Sequence, residues 1–147
     1  DTFIKFENVC KTYTMGEVKI EALKNASFTV KKGEICIIVG PSGAGKTTLL
    51  NILGGMDTLT SGNCFVDGID ISKLDRKGLS LYRRENIGFV FQFYNLMQNL
   101  TAFENVRITS AIRKENVHNT LEMIESVGLK ERCNSFPNQL SGGGKLL

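Results

Sequence analysis

With 147 residues, 41% apolar and 22% charged, the chain has the composition of one globular domain with a buried core and not of a disordered or fibrous protein. Its formal charge of +3 comes from eighteen basic and fifteen acidic residues that are interspersed, so no basic stripe points to a nucleic acid. Four cysteines without a Cys-x-x-Cys pair, beside the single histidine His118, exclude a zinc spacing and suit a reduced, cytosolic chain; no run reaches the ~18 apolar residues of a membrane span.

In chain order, Ile4, Phe6 and Val9 alternate with Lys5, Glu7 and Asn8 as in a half-buried strand, and Val18 to Leu23 and Ser27 to Val30 repeat the habit. Before them, Asp1 to Phe6 lack the charged-then-apolar order of a leader, so a membrane role is expected only through a partner. After a Lys31-Lys32-Gly33 turn, Ile35-Cys36-Ile37-Ile38-Val39 is a continuous apolar run, which predicts a strand covered on both faces. From Lys46, the residues Thr47, Leu49, Leu50, Ile52 and Leu53 have helical spacing, with Gly54-Gly55 as a stop. Gly62 to Val66 predicts a strand ending in an Asp67-Gly68 turn, Asp75 to Arg84 a short polar helix, and Ile87 to Phe91 another buried strand. Thr101 with Glu104 is a capping box opening a helix, and Leu121, Ile124, Glu125 and Val127 suggest a second helix closed by Gly128.

The segment Gly40-Pro41-Ser42-Gly43-Ala44-Gly45-Lys46-Thr47 matches G-x-x-x-x-G-K-[ST] at every fixed position, between an apolar run and a helix. Phosphate oxygens require several N–H donors aimed inward, and the backbone supplies them only where side chains do not obstruct it. Gly40, Gly43 and Gly45 suit that demand. Lys46 is expected to place its ammonium on the β and γ phosphates of ATP and the Thr47 hydroxyl to ligate Mg²⁺, at the positive end of the helix dipole. The bland alternative is a glycine-rich turn that merely joins two elements.

A phosphate loop alone leaves open kinases, GTPases, helicases and transport ATPases. Leu140-Ser141-Gly142-Gly143 resembles the signature of ABC transporter ATPases, Phe89-Val90-Phe91-Gln92 their glutamine loop, and Lys11-Thr12-Tyr13 their aromatic loop, in the family's order. Segments such as Leu50-Asn51-Ile52-Leu53-Gly54-Gly55, Arg83 to Gln92 and Leu100 to Val106 resemble the lipoprotein-release and macrolide-export branch. The resemblance runs almost continuously over residues 3 to 143.

This resemblance implies an α/β fold, the N-terminal part of a P-loop NTPase: an antiparallel β subdomain, a partial RecA-like core and a helical subdomain. The expected division of one incomplete domain over 1–147 is a β layer at 1–33 and 60–72, a P-loop core at 34–59 and 85–92, and a helical part at 93–147. It also implies that Tyr13 stacks on adenine, that Gly40 to Thr47 and Thr48 hold the nucleotide, and that Gln92 reaches Mg²⁺ or the attacking water and senses a permease. Leu140, Ser141, Gly142 and Gly143 are expected to act in trans, closing on the γ phosphate of a second, head-to-tail ATPase subunit. A membrane permease is the implied partner, and the inner face of the membrane the implied location.

The sequence departs from the family after Gly143. Where the family continues with Gln, this chain reads Gly144-Lys145-Leu146-Leu147, and the aspartate, general-base glutamate and switch histidine of the family are not in it. His118 precedes the signature in a polar stretch and is expected to be solvated, so no residue present is assigned as catalytic beyond an assisting Gln92. The readings that stand are the ATP-driven motor subunit of an ABC transporter, a nucleotide-holding module without turnover, and a non-transport P-loop enzyme such as a kinase. The last leaves the Leu-Ser-Gly-Gly and Phe-Gln segments unexplained.

Overall fold

The computed structural model describes residues 1–112 and 117–146, without the side chains of residues 117 and 118. The chain forms two compact units, Asp1–Gly88 and Phe89–Leu147.

The first unit is built on a hairpin of two long strands, β1 (Thr2–Met15) and β2 (Val18–Lys31), with β3 (Ser61–Val66) and the short β4 (Ile69–Asp70) completing an antiparallel sheet in the order β2-β1-β3-β4. The two strand segments expected at 18–23 and 27–30 are one strand. Asn25 takes a left-handed φ of 48° at a register shift, so the ladder is bulged there and not broken. Helix α1 (Lys46–Leu53) ends at Gly54-Gly55 as its sequence predicts, and α2 (Arg76–Asn86) starts at Asp75, whose carboxylate accepts the Gly78 N–H at 2.7 Å.

Phe6, Val9, Leu23, Ile52, Cys64, Val66, Ile71 and Tyr82 form the buried core of this unit, with Phe28 stacked on Phe6 at 4.6 Å between ring centroids. Ile52 brings α1 into that core. Tyr82 from α2 buries its ring and donates its hydroxyl to the Leu53 carbonyl at 2.8 Å, which fastens α2 to the end of α1. Cys64 is fully buried, and loss of hydration pushes its thiol up to about 12.

Two expected strands are absent. Residues 35–39 form no strand, with Ile35, Ile37 and Val39 95%, 79% and 83% exposed, and residues 87–91 likewise form none, with Val90 82% exposed. An apolar run states a need for cover but does not supply it; a buried strand requires neighbours on both edges and both faces. Among the described residues no strand pairs with either segment.

The second unit is helical. Thr101 and Glu104 form the expected capping box at the start of α3 (Ala102–Ile112): the Thr101 N–H donates to Glu104 Oε2 at 2.8 Å and the Glu104 N–H returns to Thr101 Oγ1 at 3.3 Å. Helix α4 (Val117–Ser126) is closed at Gly128, φ 74°, with the Leu129 N–H donating to the Ile124 carbonyl at 3.0 Å. Buried Thr120 donates to buried Ser110 at 3.1 Å, a satisfied polar pair between the two helices. The short α5 (Gly142–Leu146) follows, and Val106, Ile124, Pro137, Leu140 and Leu146 line a cavity of about 630 Å³ within this unit.

Candidate functional site

The phosphate-loop motif forms a tight bend opening onto the N-terminus of α1. Gly43 and Gly45 have φ of 80° and 87°, in the left-handed region where a glycine is unstrained, and the Ala44 N–H donates to the Pro41 carbonyl at 3.3 Å across the bend. No side chain caps α1 at Gly45 and no acidic residue sits in its first turn, so its leading N–H groups have no acceptor of their own. That is the arrangement an anion completes.

Lys46 turns back into this bend. Its ammonium donates to the Gly40 and Pro41 carbonyls, both at 2.7 Å, which holds a positive charge against the loop instead of out in solvent. Thr47 and Thr48 stand in the first turn of α1, with Thr47 exposed. No group of three His, Cys, Asp or Glu side chains that could hold a metal occurs among the described residues. The Thr47 hydroxyl, exposed at the start of α1, is an oxygen donor of the kind a hard cation such as Mg²⁺ takes.

The bend is braced by the sheet. A Cβ on Gly45 would meet the Ala22 carbonyl oxygen and would lie 2.9 Å from Leu23 Cδ2, so the loop rests directly on β2. Leu23 pairs with Lys11 on β1, and Tyr13 lies two residues, about 7 Å, further along that strand. The aromatic residue expected to meet the base is thus on the strand that faces the loop's own support.

Tyr13 belongs to a cluster that the sequence reading did not assemble. Its hydroxyl donates to Asp57 Oδ2 at 2.6 Å, while the Lys11 ammonium donates to Asp57 Oδ1 and to the Thr58 carbonyl, each at 2.6 Å. Lys11 is only 8% exposed and its ammonium lies 4.8 Å from the centre of the Tyr13 ring. Partial burial alone would raise the Asp57 carboxyl, but hydrogen bonds from Lys11, Tyr13 and the Thr58 N–H together hold it below the usual carboxylate range. Asp57 lies 46 residues from Lys11, and the only sequence hint is that Lys11 and Tyr13 share one face of β1.

In the second unit, Gln92 lies in an exposed turn. Ser141 caps α5 as expected of a residue at a helix start: its hydroxyl accepts the Gly144 N–H at 3.1 Å and its carbonyl the Lys145 N–H at 3.0 Å. Gly142 and Gly143 are exposed. Asn105 fastens the segment between these motifs, accepting the Met97 N–H at 2.8 Å and donating to the Met97, Leu100 and Thr101 carbonyls at 3.0–3.1 Å. The side chain of His118, expected to be solvated, lies outside the described residues.

Comparison with known proteins shows the family of the chain. The sequence profile described as ABC transporter matches residues 23–146. An uncharacterized ABC transporter ATP-binding protein of Thermotoga maritima is 47% identical over 92% of this chain and 60% of its own length. The lipoprotein-releasing system ATP-binding protein LolD of Bacteroides thetaiotaomicron is 43% identical over 97% of this chain and 65% of its own. A dimeric structure of the ATP-binding cassette MJ0796 in a post-hydrolysis state, bound to ADP and Pi, superposes with a TM-score of 0.84 at 43% identity, covering 97% of this chain and 65% of that one; its Methanocaldococcus jannaschii sequence is described as an uncharacterized ABC transporter ATP-binding protein. The chain thus spans about 60–65% of the length of these relatives. The ABC transporter profile, matching residues 23–146 of the 147, with relatives 43–47% identical over nearly the whole chain, places the chain in the ABC transporter ATP-binding family.

Proposed function

We propose that this chain is the ATP-binding part of an ABC transporter motor subunit, of the lipoprotein-release and macrolide-export kind, and that it holds MgATP at Gly40 to Thr48. The observation that carries this reading is the meeting, on one bend, of left-handed glycines, an uncapped helix start and the Lys46 ammonium. The α1 amides would take up phosphate oxygens, Lys46 would exchange the Gly40 and Pro41 carbonyls for them, and Tyr13 would stack on the base. Mg²⁺, when bound beside Thr47, would neutralise charge on the phosphates.

The dimeric state of the MJ0796 structures supports assigning Leu140 to Gly143 to a contact in trans, and the name of the LolD relatives supports coupling through a membrane permease sensed by Gln92. Such coupling would put the chain at the cytoplasmic face of a membrane; no helix among its described residues is long and apolar enough to cross one.

By itself the 147-residue chain is expected to bind nucleotide weakly and turn it over negligibly, because hydrolysis needs a carboxylate that orients water and an opposed subunit that completes the charge clamp. The carboxylate to which α1 leads, Asp57, is already engaged by Lys11 and Tyr13. Calorimetric titration with MgATP tests the binding: Lys46→Ala is expected to weaken it about tenfold or more, the loss of a charge-assisted contact. An unaltered affinity would remove the phosphate site. Phosphate release well above that of the Lys46→Ala chain would refute the low-turnover reading.

A further inference from the structure

We propose that Asp57 is a positioning residue for the nucleotide base: it fixes the Tyr13 ring and thereby sets how strongly the site prefers a nucleotide to a bare polyphosphate. This rests on the reading that Tyr13 stacks on adenine.

Three constraints converge on that ring. The hydroxyl is tied to Asp57 Oδ2, which restricts swinging and rotation of the side chain. The Lys11 ammonium, itself anchored on Asp57 Oδ1, occupies one face of the ring at 4.8 Å. The residue is only half-buried, and a base stacking on it would take the face opposite Lys11. A cation on one face draws electron density through the ring and makes the other face a better surface for an electron-rich purine.

Asp57 is also joined to the phosphate side of the site. It follows α1, and the Met56 and Asp57 N–H groups donate to the Asn51 carbonyl at 2.8 and 3.1 Å, so the carboxylate is carried on the helix whose other end opens at the phosphate loop. The next segment is stitched onto β1: the Thr12 N–H donates to Thr60 Oγ1 at 2.9 Å and the Thr60 N–H to the Cys10 carbonyl at 2.8 Å. One carboxylate thus links the helix that would hold the phosphates to the aromatic that would hold the base. Ordering the ring before binding lowers the entropy lost when a base stacks on it, which is affinity gained without a new contact.

The test is the ratio of affinities for MgATP and for magnesium tripolyphosphate, measured by calorimetry on the 147-residue chain and its variants. Tripolyphosphate binding serves as an internal control for a folded phosphate loop. Asp57→Asn and the milder Tyr13→Phe, which deletes only the hydroxyl, are each expected to lower the ratio about threefold or more, and Tyr13→Ala to lower it about tenfold through loss of base stacking. If Tyr13→Ala lowers the ratio while Asp57→Asn and Tyr13→Phe leave it unchanged, adenine stacking stands and the positioning role is overturned. A ratio unmoved by Tyr13→Ala overturns the stacking itself and the inference with it.

Discussion

Replacing Gly45 by alanine separates two physical costs that a glycine-rich loop usually confounds. At φ 87° an alanine adopts a left-handed backbone, which costs about 1–2 kcal/mol on steric grounds. Its Cβ would also run into the Ala22 carbonyl oxygen and lie 2.9 Å from Leu23 Cδ2; the first of these is strand backbone, at a register shift of β2, and cannot swing aside as a side-chain tip can. Forcing atoms into a packed site costs a further 1–3 kcal/mol, roughly, so Gly45→Ala should destabilise the first unit by about 2–5 kcal/mol. Gly43 is the control, because at φ 80° it bears the same backbone cost while a Cβ there meets nothing within 4 Å. Gly43→Ala should therefore cost only about 1–2 kcal/mol. Urea unfolding followed by circular dichroism gives both values, and nucleotide titration should show the larger loss for Gly45→Ala as the loop is driven off β2. Equal destabilisation by the two substitutions would refute the close approach of the loop to the sheet.

Other consequences are open to direct measurement. Because the Asp57 carboxyl is held below its ordinary value of 3.8, its contribution to stability is fully present above that pH and is lost as pH falls through the lower folded value. The acid-side fall of the urea midpoint should be smaller in Asp57→Asn, which keeps only the share of groups such as Asp70, and Asp57→Ala should cost about 3 kcal/mol at neutral pH because Lys11 is left buried without its charge partner. A thiol reagent at pH 8 should modify exposed Cys36 rapidly and fully buried Cys64 only on unfolding; rapid labelling of Cys64 in the folded chain would contradict the core. Asn105→Ala should raise hydrogen exchange at the Met97 amide, which loses its acceptor, and should destabilise the second unit by roughly 2 kcal/mol by leaving three carbonyls without this donor.

Much of the site could be read before any coordinates, for a specific physical reason. The phosphate loop, the Thr101–Glu104 capping box and the Gly128 stop are relations among residues at most a few positions apart, so the backbone geometry they require follows from residue type and spacing. The amphipathic habit of β1 is likewise local, since alternate side chains on a strand fall on one face wherever its partners come from.

Tertiary structure decided what depends on distant partners. The runs at 35–39 and 87–91 have the composition of buried strands, yet burial is supplied by neighbouring chain, and the four paired strands of the first unit leave both segments without a ladder. Composition could not show that Asn25 bulges β2 without ending it, because a bulge is defined by the register of the opposite strand. The union of Lys11, Tyr13 and Asp57 is the clearest case. Each is an ordinary polar residue in its own stretch of sequence, and only the return of the chain after α1 to the edge of β1 brings the carboxylate within 2.6 Å of both.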